Sequence, residues 1–409
     1  MDGNNNQFEQ QGYDPVTGQP IAQSPAGGTS YQYGGSQYGA PQNGNPQYGG
    51  PQYGNYQYAN PQYAYPQYGY GMPQAPVFDE RSARRHFSRI GLSYFVFWIA
   101  SLLLGNGVAI VLYLVEPNAM VNYLISMLVA LLPMYLIGAP LCWLCLRGVR
   151  AEKPEKNHWS FWQILGGFIV AYSMMHIGSW IGTYVGEIIE SYIPDAQAST
   201  NSVQELVLTG EMWVNVMAMV IFGPIGEELL FRKFLCDRLK PFGDGVAIVV
   251  SGIMFGLFHG NITQGIYASM LGMIFAYVYL KTGNIFITIG YHVVANFMGS
   301  VLPLLLLNSA ALGGLDEVMA GGDPNALSEF IMGNMDAFFL YGGYVLLIFG
   351  LMIAGVVILI VTVARGRVRI NPGTYRIPSG KRFKTVFINV GMILFLLGCF
   401  SEVILNTFF

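Results

Sequence analysis

The sequence predicts an all-α, polytopic transmembrane helix bundle of about nine spans behind a disordered N-terminal tail. Two features of the composition point there. Only 11% of the 409 residues are charged while 53% are hydrophobic, against about a quarter charged in a soluble domain. The apolar residues also come in runs of about twenty, long enough to cross a hydrocarbon core roughly 30 Å thick. Together these exclude a chain of two or three soluble domains. The third observation is an abrupt compositional break near residue 80.

Residues 1–79 contain no Lys or Arg and almost no aliphatic side chains. Variants of Pro-Gln-Tyr-Gly recur there, as at Pro46-Gln47-Tyr48-Gly49, Pro51-Gln52-Tyr53-Gly54 and Pro66-Gln67-Tyr68-Gly69. Such a tract cannot bury enough apolar surface to offset the entropy of ordering it. It reads as a cytoplasmic spacer, with protein binding through its tyrosines as the lesser alternative. Met1 is not followed by a charged-then-apolar leader, so no cleaved signal peptide is expected.

After Arg81, Arg84, Arg85 and Arg89 the chain enters the bilayer. Spans are expected near 90–114, 121–146, 161–186, 212–230, 246–260, 264–280, 284–306, 337–363 and 386–408. They divide into N-terminal helices over 80–200, a core over 201–306, and an extracytoplasmic loop with C-terminal helices over 307–409.

Basic residues set the orientation, because cytoplasmic loops are enriched in Lys and Arg. All 20 of them fall on one side under nine alternating crossings. Arg147, Arg150, Lys153 and Lys156 follow the second span, and Arg232, Lys233, Arg238 and Lys240 close the fourth. Lys281 follows the sixth, and the seven from Arg365 to Lys384 follow the eighth. The opposite loops carry Glu187, Glu190 and Asp195, then Asp316, Glu317, Asp323, Glu329 and Asp336. A multi-pass protein of the cell membrane is expected, its N-terminus cytoplasmic and its C-terminus outside. The lipid bilayer is its expected partner and nucleic acid is not.

Ionisable groups at bilayer depth cost several kcal/mol unless paired, so each one is a functional candidate. The set is small: Glu227, Glu228, Arg232, His176, His259, His292 and Glu402, with the amide of Asn296. In Gly223-Pro224-Ile225-Gly226-Glu227-Glu228-Leu229-Leu230-Phe231-Arg232, Glu228 and Arg232 share a helix face at i,i+4 and suit an ion pair. Glu227 points about 100° away. It has no cation beside it on its own helix, which suits a general acid or base. Pro224 between glycines allows a kink just before the pair. Phe255 and His259 lie one turn apart, as do His292 and Asn296. The latter pair could donate hydrogen bonds to a developing oxyanion.

Depth decides whether the clusters can meet. At 1.5 Å per residue, Glu227 lies roughly 20 Å before Lys240, His259 roughly 21 Å beyond Gly245 and His292 roughly 14 Å beyond Gly283. All reach middle depth, so one site could hold Glu227, His259, His292 and Asn296. The other polar groups have blander explanations. His176 stands alone in its span and reads as a satisfied interhelical residue. Glu402 can snorkel or pair locally near the outer end of the last span. Cys142 and Cys145 form a CxxC but read as small hydrophobes in an apolar helix end.

In order and spacing these clusters resemble the CPBP family (CAAX proteases and bacteriocin-processing enzymes). The family pattern is EExxxR, FxxxH and HxxxN on successive core helices. Here it reads Glu227-Glu228 with Arg232, Phe255 with His259, and His292 with Asn296. The stretch Tyr277-Val278-Tyr279-Leu280-Lys281-Thr282-Gly283-Asn284 before the third motif is also family-like. The resemblance covers about residues 205–305. It implies an intramembrane endopeptidase whose water is activated by Glu227 and His259, with His292 and Asn296 stabilising the tetrahedral intermediate. Glu228 completes the implied site, and Arg232 and Phe255 support it. The family has been described both as metal-dependent and as using a glutamate without metal. Glu227, His259 and His292 could ligate Zn²⁺ with a position open for water, and Glu227 as a free base fits equally well. The expected substrate is a peptide or a membrane-associated protein.

Other protease chemistries lack their motifs: there is no HExxH and no GxSxG, and Gly243-Asp244 lies in a loop after Pro241-Phe242. Two rivals are a catalytically silent scaffold serving bacteriocin immunity or binding, and a proton-coupled transporter. The transporter would show broken helices in both of two matching halves. Gly223-Pro224 interrupts the fourth span, and no second interruption matches it in a corresponding position.

Overall fold

The structure is a computed structural model. It describes residues 78–198, 211–308 and 314–408. The tail expected over 1–79 therefore lies, apart from its last two residues, outside the described residues. Among the described residues every regular element is helical. In chain order these are α1 (Glu80–Val115), α2 (Tyr123–Leu146), α3 (Phe161–Tyr192), α4 (Met212–Phe242), α5 (Asp244–Leu257), α6 (Ile262–Thr282) and α7 (Ile285–Leu306). Two short helices, α8 (Leu315–Ala320) and α9 (Pro324–Gly333), precede α10 (Met335–Ala364). The short α11 (Arg382–Phe387) leads into α12 (Val390–Phe408).

Eight of these helices are long and apolar enough to cross a membrane. The most apolar window of α10, with mean hydropathy 3.1, is only 11% buried within the protein. Surface this apolar belongs in lipid and not in water. Eight of the nine expected spans are thus found at full length.

The fifth, expected near 246–260, is found at close to its expected length and is too short to cross a membrane by itself. With 14 residues, α5 rises only about 21 Å. It stops because His259-Gly260-Asn261 reverses the chain. Gly260 takes φ +62°, a conformation costly for any residue with a Cβ, and Asn261 caps α6 by accepting from the Gln264 N–H at 2.9 Å. A short helix is tolerable here because α5 packs among α4, α6 and α12 and need not match the bilayer by itself.

The α5–α6 hairpin still joins both ends of the bundle. At one end, Lys281 pairs with Asp244 at 2.6 Å and Arg238 donates to Leu146 O at 3.1 Å. Arg89 donates to Gly148 O at 2.8 Å, and Lys381 pairs with Glu80 at 2.8 Å. The basic segments predicted to share a side are bonded to one another. At the other end, Asn406 of α12 donates to Gly260 O at 2.9 Å. The residues just beyond α3 are tied there as well, through Gln197 N to Thr407 O at 2.7 Å and Thr263 Oγ1 to Ala198 O at 3.3 Å.

The main apolar core lies between α1, α4, α5 and α12, where Phe87, Tyr94, Phe231, Phe255 and Phe395 are all essentially inaccessible. The Tyr94 hydroxyl donates to Leu230 O at 2.6 Å, so even the polar tip of this core residue is satisfied. This packing fixes the back of α4, whose other side carries the glutamates.

Candidate active site

Helix α4 is not wound uniformly. Wide, π-type turns at Val216–Phe222 and Leu229–Cys236 flank a normal segment, Gly223–Glu228. Pro224 sits at the start of that segment and cannot donate a backbone hydrogen bond. Wide turns of this kind recur at functional sites because they re-aim side chains. Here they flank the two glutamates.

Glu228 and Arg232 are both fully buried and meet at 3.0 Å, as their spacing predicts. Arg232 also donates from Nη1 to Ser251 Oγ of α5 at 2.9 Å. Its guanidinium carbon lies 4.9 Å from the Phe255 ring centroid and 5.7 Å from that of Phe275. A buried ion pair is tolerable only when such additional contacts offset the desolvation of both charges. The second oxygen of Glu228 faces His292 Nδ1 at 3.2 Å. Glu228 therefore ties α4 to α7 as well as to its own helix.

Glu227 lacks a partner on α4, as expected, but α7 supplies one. Its Oε2 lies 3.5 Å from His292 Nε2. His292 thus stands between two carboxylates, with its ring against Phe255 at 5.8 Å and Phe275 at 5.4 Å. Phe255, read from sequence as a supporting residue, touches three members of the cluster: Arg232, His259 and His292.

His259 lies just past the end of α5 instead of on it. Its Nδ1 is 2.8 Å from Phe255 O. A carbonyl only accepts, so the proton of a neutral ring sits on Nδ1 and Nε2 is left as an acceptor. Asn296 donates from Nδ2 to Met219 O at 2.8 Å, joining α7 to the first wide turn of α4 and leaving one amide hydrogen uncommitted.

A cavity of about 590 Å³ brings these groups together, with Glu227, His259, His292 and Asn296 all in its wall. Glu228 and Arg232 lie behind that wall. Tyr135 of α2 closes another side and donates to Gly223 O at 3.3 Å. Its ring approaches α4 so closely that a Cβ on Gly226 would lie 2.1 Å away. Only glycine admits that contact.

On sequence grounds Glu227, His259 and His292 could ligate Zn²⁺. Among the described residues, no group of three or more His, Cys, Asp or Glu side chains is placed to hold a metal ion. Glu227 and His292 approach each other, but His259 does not join them as a third ligand.

His176 was assigned no role on sequence grounds. The structure puts it in the wall of the same cavity, with its Nε2 buried and without a hydrogen-bond partner among the described residues. A lone imidazole in an apolar span carries no motif, so no pattern distinguishes a cavity residue from interhelical glue. Glu402 does pair locally, accepting from Trp98 Nε1 at 2.6 Å. Both cysteines of the CxxC are free thiols; Cys142 is buried and Cys145 exposed.

Part of the chain is similar to known proteins. Residues 209–298 match the family profile described as Type II CAAX prenyl endopeptidase Rce1-like. A candidate membrane peptidase of Bacillus subtilis (strain 168), YdiL, is 26% identical over 147 residues. That stretch is 35% of this chain and 56% of the relative. The membrane-embedded CAAX protease MroQ of Staphylococcus aureus (strain USA300) is 26% identical over 169 residues, 39% of this chain and 64% of that protein. The chain thus spans about three-fifths of the length of these curated relatives. No solved structure matches it.

Proposed function

Since the chain carries a CPBP-family membrane core, we propose that it is an intramembrane endopeptidase that hydrolyses a peptide bond inside the cavity. The observation that carries this reading is the placement of Glu227. Its carboxylate stands in the cavity wall with His292 Nε2 at 3.5 Å and an acceptor nitrogen of His259 in the same wall.

In the proposed reaction, Glu227 takes a proton from a water molecule as its oxygen adds to the scissile carbonyl carbon. His259 Nε2 accepts the water's other hydrogen and orients the attack. The carbonyl oxygen becomes an oxyanion, which the free amide hydrogen of Asn296 stabilises; His292 can join it only with a proton on Nε2 besides the Nδ1–H that meets Glu228. Collapse breaks the C–N bond, and the proton held by Glu227 passes to the leaving amine. Glu228 and Arg232 position His292 and α4.

The basic end of the bundle is placed at the cytoplasm by the excess of Lys and Arg in cytoplasmic loops. This puts the N-terminus inside and the C-terminus outside. The substrate class is a peptide or a membrane-associated chain whose scissile bond can reach middle depth.

The test is to profile protein N-termini in membranes of cells expressing the wild type or Glu227→Gln at matched levels. The proposal expects a set of new N-termini in the wild type that the variant lacks. Identical profiles would reject it.

A further inference from the structure

Helix α12 lies outside residues 209–298, the stretch that matches the family profile, yet it grips the chain beside His259. We infer that Glu402 and Asn406 of α12 are positioning residues, which hold the His259–Gly260 turn so that the imidazole keeps its place in the cavity wall. The inference rests on the proteolytic reading above.

The local structure shows why such a hold is needed. Helix α5 ends at Leu257, so His259 stands on a turn and not on a regular helix. Two short-range backbone bonds close that turn, His259 N to Gly256 O at 3.1 Å and Gly260 N to Leu257 O at 3.3 Å. Phe255 steadies the imidazole from the preceding side, with its carbonyl 2.8 Å from Nδ1 and its ring edge-to-face at 4.8 Å. On the following side comes Gly260, at φ +62°, and glycine has more backbone freedom to lose than any other residue.

Helix α12 restricts that freedom from one face. Gly398, Glu402 and Asn406 are spaced four residues apart, so they form one stripe along the helix. Asn406 donates from Nδ2 to Gly260 O at 2.9 Å. The Glu402 side chain covers the Gly260 Cα, since a Cβ there would lie 2.8 Å from its Cγ and 3.2 Å from its Oε1. Glu402 is itself fixed by α1. Trp98 Nε1 donates to its Oε2 at 2.6 Å, and the Trp98 ring packs on Gly398, where a Cβ would lie 2.9 Å away. Contacts thus run from α1 through α12 to the residue that follows His259.

Other ties at this end of the bundle do not touch the turn. Gln197 N donates to Thr407 O at 2.7 Å, and Thr263 Oγ1 to Ala198 O at 3.3 Å. Removing the side chain of Glu402 or Asn406 therefore leaves those ties in place and frees Gly260. His259 orients the attacking water in the proposed reaction, and a misplacement of about 1 Å in such a group can cost about 10²-fold in rate.

The experiment uses the full chain in lipid nanodiscs and a library of quenched-fluorescent decapeptides. It compares kcat and KM of wild type, Asn406→Leu, Glu402→Ala, Glu402→Gln, Thr263→Val and Glu227→Gln. Leu keeps the shape of Asn without the donor. Ala uncovers Gly260 and leaves Trp98 without its acceptor, whereas Gln keeps both contacts. Thr263→Val removes one hydrogen bond at the same end without touching Gly260. The expected result is a kcat about 10- to 100-fold lower in Asn406→Leu and in Glu402→Ala at nearly unchanged KM. Most of the loss should be recovered in Glu402→Gln, and Thr263→Val should show no matching loss. If Asn406→Leu and Glu402→Ala keep the wild-type kcat while Glu227→Gln is inactive, the positioning proposal is wrong and the protease reading stands. An equal loss in Thr263→Val, or a rise in KM alone, would also overturn it by marking a general loosening of the bundle. Should one of the two variants fail to fold, the other decides. If cleavage survives Glu227→Gln, or the wild type cleaves nothing, both readings fall together.

Discussion

Removing one member of the Glu228–Arg232 pair should be far worse than removing both. Unit charges 3.0 Å apart attract by about 5–6 kcal/mol at an effective dielectric of about 20. Taking two ions out of water costs several kcal/mol each, so the pair as a whole contributes little net stability. Breaking it is different, because a fully buried charge is then stranded. Glu228→Gln strands Arg232, whose Nη2 already lacks a hydrogen-bond partner among the described residues, and should destabilise by about 3–5 kcal/mol. Arg232→Met strands Glu228. The loss should lie toward the lower end of that range, since His292 Nδ1 still faces the carboxylate at 3.2 Å. The double variant should return to within about 2 kcal/mol of the wild type, giving a coupling of at least about 3 kcal/mol. The assay is reversible unfolding in mixed micelles by added dodecyl sulfate, run on all four proteins. Additive losses, or single losses under about 1 kcal/mol, would show that the two charges do not depend on each other and refute the reasoning.

Three further outcomes follow from the site. Gly226→Ala places a Cβ 2.1 Å from the Tyr135 ring and should lower cleavage at least about 10-fold by displacing Glu227, the scale of a 1–3 kcal/mol overpacking strain. Truncating the ring in Gly226→Ala/Tyr135→Ala should recover most of the activity, and failure to recover would place the defect elsewhere. Gly260→Ala combines a left-handed φ of +62° with a Cβ 2.8 Å from Glu402 Cγ, so it should shift His259 and reduce kcat with little change in KM. A rise in KM alone would argue against that. Treatment with a strong zinc chelator should leave cleavage unchanged, given that no described group of three donors is assembled. Loss of activity restored by added Zn²⁺ would contradict this.

Much of this architecture was legible because membranes impose strict rules on sequence. Long apolar runs and one-sided basic residues mark spans whatever their packing, and eight of the nine expected spans are full-length helices. The exception, α5, is short in both readings, near 246–260 from sequence and Asp244–Leu257 in the structure, and the Gly260 reversal ends it. In the site, the Glu228–Arg232 pair was readable because i,i+4 geometry is local. The partner of Glu227 was not, since His292 approaches from another helix. The wide turns of α4 were also hidden. Pro224 between glycines signals an irregularity but not its kind. His176 reads from sequence as an interhelical residue, and only the packing of the helices shows that it lines a cavity.

The most direct test of the central claim is the cleavage rate of the purified full chain in nanodiscs, wild type against Glu227→Gln, on the same decapeptide library. Glutamine preserves size and cannot accept the water's proton. The account predicts Glu227-dependent cleavage that falls by about 10²–10⁴ in the variant, the usual scale of general-base catalysis, with peptide binding retained. Cleavage in Glu227→Gln within a few-fold of the wild type would contradict it.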